Sequence, residues 1–333
     1  MRRLPILIAL STLAPMTAVA ACGPDTLDSH VTAEQLADLD ARAATWINGQ
    51  GLAWTAVRGD DQLTLIGTIH IYDPRIDTLL ERFSPAISQA DVVLVEMTLD
   101  DQADMQAELV AQPDLLLLPN NETLLEMMPE QQWSLLATAL EARGLPPFMA
   151  ARFQPWYLST LLSIPACYGL AGATAGGLDM MIMTQAADAG TPVRALEDWR
   201  DTIAQLANDP IDEQLDALTL SQLPPDFEAA AFNSFLNDFF AGNVARSWEW
   251  TTLAASLVPG ADPDKIAIMT ADMKDDLLAA RNGAWMSEIE AVTKTADEIV
   301  IAVGAMHLPG DFGLVHLLEQ DGWTVTRLDT SNN

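Results

Sequence analysis

One short pattern, present twice, constrains this chain more than any other feature. Leu63 to Ile66 is an apolar run that breaks at Gly67 and reaches His70. Ile299 to Val303 is another that breaks at Gly304 and reaches His307. Each run is rich in β-branched or other apolar residues and bounded by polar ones, as a buried strand is. Each glycine marks a place where the backbone can turn sharply or where another group can approach closely. The chain has 4 histidines among 333 residues. Two of them in the same position of a repeat point to a shared site.

Two acidic residues extend the pattern. Val92 to Val95 ends in Glu96, and Pro192 to Leu196 ends in Glu197. In open α/β sheets ligands bind outside the carboxyl ends of the strands. If the four runs share one sheet, His70, Glu96, Glu197 and His307 converge on one rim. Imidazoles with carboxylates suit a hard or borderline divalent cation, such as Zn, Mn, Fe or Co. The plainer alternative is that each residue merely marks where a strand meets solvent.

Half of the residues are hydrophobic, which excludes a disordered chain. Lys and Arg number 16 against 47 Asp and Glu, a formal net charge of -31. Such a surface repels phosphate backbones, so a nucleic-acid partner is not expected. Residues 1–20 read as a signal peptide: Arg2 and Arg3, an apolar stretch from Leu4 to Met16, then Ala18-Val-Ala20. A signal peptide implies a periplasmic or secreted mature chain, here without a transmembrane span. Cys22 and Cys167 are the only cysteines. In an oxidising compartment they form a disulfide. The alternative is lipidation at Cys22, because the residues before it also resemble a lipoprotein cleavage site.

Periodicity then supplies the elements of a single domain over residues 21–333. Residues 31–48 read as a helix with a Thr32/Gln35 capping box, ended by Gly49. Leu52 to Arg58 and Gln62 to Ile66 read as a hairpin with the three-residue loop Gly59-Asp-Asp61, so the sheet is mixed. The His70 and Glu96 strands, joined by a helix, form a β-α-β unit and hence a parallel pair. The segment before the Glu197 strand makes a second such unit. Helical insertions fall at about 100–165 and 198–260. Trp156 to Leu178 lacks a formal charge, but its glycines and Pro165 read as a buried helix and a Gly-rich loop at 169–177, not as a membrane span. On the helix from Asp264 to Ala291, Arg281 and Asn282 fall on the stripe that should be buried. A buried guanidinium needs an anion: Glu96, Glu197 or a substrate carboxylate. Alternatively Arg281 reaches out from the stripe's edge to Asp275 or Glu288. Asp311 is expected to cap a helix through Leu318, followed by an edge strand from Thr324 to Leu328. The expected class is thus α/β, a mixed central sheet with many flanking helices.

The chain resembles the TraB/PrgY/GumN family, whose eukaryotic relatives include the TIKI proteases. Gly67-Thr-Ile-His70, Val95-Glu96, Phe153-Gln-Pro-Trp156, Gly177-Leu-Asp179, Ala195-Leu-Glu197, Arg281-Asn282 with Trp285, and Gly304-Ala-Met-His307 carry the resemblance. It implies an α/β core related to the erythromycin esterase and ChaN-like groups, and a metal-dependent hydrolase site. His70 and His307 would bind a divalent transition metal (Mn, Co or Zn), with Glu197 as a further ligand. Glu96 would be ligand or general base. Arg281 and Asn282 would hold a substrate carboxylate or the developing oxyanion, with Asp179 at the substrate. The TIKI resemblance makes the substrate a peptide, within the wider class of small molecules and peptides. The rival reading is a non-catalytic periplasmic protein that binds haem or metal, or serves a surface-polysaccharide or pheromone pathway. The chain lacks the Gly-x-Ser-x-Gly elbow of serine hydrolases.

Overall fold

The computed structural model describes residues 22–169 and 176–330. The signal segment and most of the Gly-rich loop therefore lie outside the described residues. Six strands form one mixed sheet: β1 (Ala53–Arg58), β2 (Asp61–Thr68), β3 (Val92–Val95), β4 (Val193–Ala195), β5 (Glu298–Gly304) and β6 (Thr324–Leu328), in the order β4-β3-β5-β2-β1-β6. The first four in that order run parallel. β1 is antiparallel to both β2 and β6.

Two details differ from the expectation drawn from periodicity. Arg58 pairs with Asp61, so the hairpin loop is Gly59-Asp60, two residues and not three. Gly59 takes the left-handed conformation (φ 66°) that a tight hairpin turn requires. β2 and β3 are parallel but not neighbours, because β5 lies between them. β5 is the strand best suited to the centre. Ile299 to Val303 are each no more than 1% exposed, and such a run must be covered on both faces. Ile66, Val93, Val95, Val300 and Ala302 pack on one face, under the Arg75–Gln89 and Leu178–Ala189 helices. Leu63, Leu65, Leu94, Ile299, Ile301 and Val303 pack on the other, with Trp285, Leu314 and Leu318. The period-2 alternation of strand side chains produces this division.

The helical insertions have apolar clusters of their own. Leu124, Leu136, Leu140, Leu158 and Leu162 make one. Leu27, Leu39, Trp250 and Leu253 make another. The first long helix carries the Thr32/Gln35 capping box but spans only Ala33–Ala43. Ile47, inside the 31–48 span read as helix, lies beyond its end and is 44% exposed. The helix near the C-terminus begins at Leu314 with Gly313 as N-cap, so Asp311 caps nothing. Cys22 and Cys167 form a disulfide, and their pairing leaves Cys22 no free thiol for lipidation. No helix of the described residues is long and apolar enough to cross a membrane.

Candidate functional site

The parallel strands bring the expected residues to one rim. β4, β3, β5 and β2 lie side by side, and Glu197, Glu96, His307 and His70 come just after their carboxyl ends in that order. Both repeat glycines serve close approach, for neither has a positive φ. A Cβ on Gly67 would stand 3.0 Å from Ala305 Cα and from Leu308 Cδ1. One on Gly304 would stand 3.2 Å from Glu96 Oε1. The lack of a side chain at both positions lets the turn Ala305–His307 fold over β2 and lets Glu96 lie against β5.

Arg281 lies at the centre of the rim. The long helix expected over 264–291 is continuous but changes winding: Pro263–Lys274 is α, Asp275–Ala280 is π, and Arg281–Val292 is α. A π segment turns the faces of the next helical stretch and is frequent at functional sites. Arg281 Nη2 donates to Glu96 Oε2 (2.6 Å) and Glu197 Oε1 (2.5 Å), and Nε donates to Glu197 Oε2 (3.0 Å). Of the two partner sets left open, Glu96 and Glu197 are the ones formed. Glu197 also accepts from Trp285 Nε1 (2.9 Å) and Thr202 Oγ1 (2.9 Å). Its oxygens are thus engaged by the guanidinium, an indole and a hydroxyl, a setting unlike that of an open metal ligand. Thr202 carries no sequence signal that could have identified it. Burial works against the charge of Arg281, but the hydrogen bonds and charges of the two glutamates outweigh it and raise its pKa. Two carboxylates against one guanidinium leave one negative charge for a further cation to balance.

The two histidines are held alike. His307 Nδ1 lies 2.7 Å from Asn282 Oδ1. Asn282 Nδ2 donates to the carbonyls of His307 (3.2 Å) and Phe312 (3.0 Å), which orients the amide so that Oδ1 accepts. His307 therefore carries its proton on Nδ1, and its Nε2 lone pair faces Arg281 Nη1 (3.4 Å) and Glu96 Oε1 (3.9 Å). Burial lowers the His307 pKa to about 4, against the pull of Glu96, so the ring is neutral at neutral pH. Trp285 lies over it with ring centroids 4.4 Å apart. Asn282 is 0% exposed. Its amide is engaged by His307 and by the Phe312 carbonyl.

His70 Nδ1 is 3.1 Å from Asp179 Oδ2. Asp179, expected at the substrate, is here the hydrogen-bond partner of His70. The Leu178–Ala189 helix reaches His70 because Gly177 has no side chain: a Cβ there would fall 1.8 Å from the Ile69 carbonyl oxygen. The His70 side chain is 65% exposed. The protein around the ring opposes its charge, but the Asp179 hydrogen bond and the charges of Asp179 and Glu96 outweigh that and raise the His70 pKa. Solvent screening reduces the effect at so open a ring. Burial pushes the Glu96 pKa up. The positive charges of His307, His70 and Arg281, and the Gly304 N–H at 2.7 Å, bring it down to about 2. With His307 uncharged at neutral pH, Arg281, His70 and Gly304 keep Glu96 ionised.

Part of the donor chemistry suits a divalent metal: the neutral His307 imidazole and the ionised Glu96 carboxylate. His70, whose charge the site favours, would have to give up a proton to bind one. Each ring is anchored through Nδ1 by a side-chain oxygen, as metal-binding histidines are. The spacing is looser. Among the described residues no group of three or more His, Cys, Asp or Glu side chains is placed to hold a metal ion. A search of curated proteins finds no match to the chain. The family model of the TraB/PrgY/gumN family matches residues 52–327, from just before β1 into β6, and the chain belongs to that family.

Proposed function

We propose that this chain is an exported hydrolase that acts on a peptide carbonyl at the rim formed by His70, Glu96, Arg281 and His307. The observation that carries this reading is the shared anchoring of the two histidines, each held at Nδ1 by a side-chain oxygen. A divalent transition metal (Mn, Co or Zn) held by His70 and His307 beside Glu96 would supply an acidic bound water and polarise the carbonyl. Glu96, ionised and 3.9 Å from His307 Nε2, is the base that takes the proton of the attacking water. Arg281 Nη1, which faces His307 Nε2, is the N–H that would donate to the developing oxyanion. Asn282 and Asp179 position the two imidazoles. Glu197 holds Arg281 in place and is not assigned to the metal. The peptide substrate rests on the resemblance to the TIKI proteases. Export rests on the signal-like first twenty residues and agrees with an intramolecular disulfide.

Elemental analysis of the purified mature protein, beside His70→Ala and His307→Ala, tests the reading. A near-stoichiometric transition metal in the wild type, absent from both variants, is the expected result and justifies a peptidase screen. Wild-type protein that takes up none of Mn, Co or Zn on reconstitution overturns it.

A further inference from the structure

A cleft of about 630 Å³ opens on the antiparallel side of the sheet, and no rim residue lines it. Its apolar walls include Trp46 and Trp54; Arg246, Arg327, Asn48, Gln50, Asn243 and Asp40, the last paired with Arg246, contribute polar groups. The two arginines differ. Arg246 is saturated by Asp40, Asp238 and Asp28. Arg327 has no ion pair or side-chain hydrogen bond among the described residues, in a chain with 47 acids to 16 bases. It lies beside Trp54, its register partner across β1 and β6. Gly51 makes room for both: a Cβ there would meet Arg327 Cδ at 2.7 Å and Trp54 Cζ2 at 3.1 Å. Trp54 is 7% exposed, and its indole N–H has no hydrogen-bond partner among the described residues. A buried donor without an acceptor is costly, about 1–3 kcal/mol.

We infer that this cleft binds a small monocarboxylate with a flat apolar body. A guanidinium is a planar fork that matches a carboxylate through two parallel hydrogen bonds. One uncompensated guanidinium balances one negative charge, and the overall charge of -31 disfavours ligands that carry more. Trp46 and Trp54 offer apolar surface to the body of the ligand. When the exposed Arg327 side chain swings off Gly51 toward the carboxylate, the indole N–H gains access to an acceptor. The inference is independent of the chemistry proposed for the rim.

The test is titration of the full mature protein with benzoate and with indole-3-acetate, monitored by tryptophan fluorescence and calorimetry. Benzamide is the uncharged control and inorganic phosphate the competing anion. Saturable binding of the carboxylates is expected, with benzamide silent. Arg327→Gln should weaken it about tenfold or more, the worth of a charge-assisted hydrogen bond. A His70→Ala/His307→Ala protein should bind unchanged. Circular dichroism verifies that Arg327→Gln is folded. No saturable binding in the millimolar range, binding indifferent to Arg327→Gln, or displacement by phosphate at equal concentration overturns the assignment.

Discussion

His307 should make this protein lose stability in mild acid, before its carboxylates titrate. The ring is 3% exposed, and burial holds its pKa at about 4 against an ordinary value of 6.5. The unfolded chain thus takes up a proton that the folded chain refuses. The stability contributed is fully present above about pH 6.5 and is lost as the pH falls toward 4. The gap between the two values corresponds to about 3 kcal/mol, of which about 2 kcal/mol is lost between about pH 7 and about pH 4.5. The window stops there because Glu96, held down near 2, contributes stability that is lost only below its ordinary value of 4.5. His70 acts in the opposite sense. Its raised pKa makes its contribution complete below 6.5 and lost at higher pH, with a shallow slope because the ring is exposed. Urea unfolding of the disulfide-intact protein in chelator, at half-unit pH steps, measures the acid limb. The same series on His307→Gln cancels the response of the other groups by difference. The variant should lack about 2 kcal/mol of the wild-type decline. Equal slopes for the two proteins would show that His307 is not buried neutral, and would refute the tautomer argument built on Asn282.

The central ion cluster, the His307 anchor and the disulfide make separate predictions. Arg281→Met strands Glu96 and Glu197 in a largely closed site and should cost about 3–5 kcal/mol in urea unfolding; adding Glu197→Gln should recover part of it, and a loss below about 1 kcal/mol would contradict the buried cluster. Asn282→Leu removes the acceptor for His307 Nδ1. Imidazole nitrogen NMR at neutral pH should then show loss of the pure Nδ1–H tautomer, whereas an unchanged spectrum would mean another group sets it. Reduction of Cys22–Cys167, 145 residues apart, frees a long loop and should lower stability by up to about 5 kcal/mol on the chain-entropy account; thermal unfolding with and without reductant measures it. Gly177→Ala places a methyl against the Ile69 carbonyl and should separate Asp179 from His70, seen as a drop of the His70 pKa toward 6.5 in proton NMR titration.

The two Gly-x-x-His runs, the two strand-end glutamates and the arginine on an apolar stripe were legible in the linear chain. Periodicity says which residues must be buried, and a charged group that breaks the periodicity marks itself. The same reasoning reached the mixed sheet and the capping box at Thr32. Strand order lay beyond it. A β-α-β connection establishes that β2 and β3 are parallel, but whether a later strand enters between them depends on which strand can be buried on both faces, and β5 is that strand. The surroundings of the candidate site residues were also decided in three dimensions. Asn282 and Asp179 carry polar side chains that suit a substrate contact or a support equally well. Only packing shows that one is sealed behind His307 and the other reaches His70 across a missing Cβ at Gly177. Glu96 and Glu197 read alike as strand ends. Their difference, one beside the His307 lone pair and one enclosed by Arg281, Trp285 and Thr202, arises from side chains distant in sequence that the fold brings within hydrogen-bond range. Local sequence determines what each residue can do, whereas the long-range contacts that select one of those capabilities form only when the chain closes on itself.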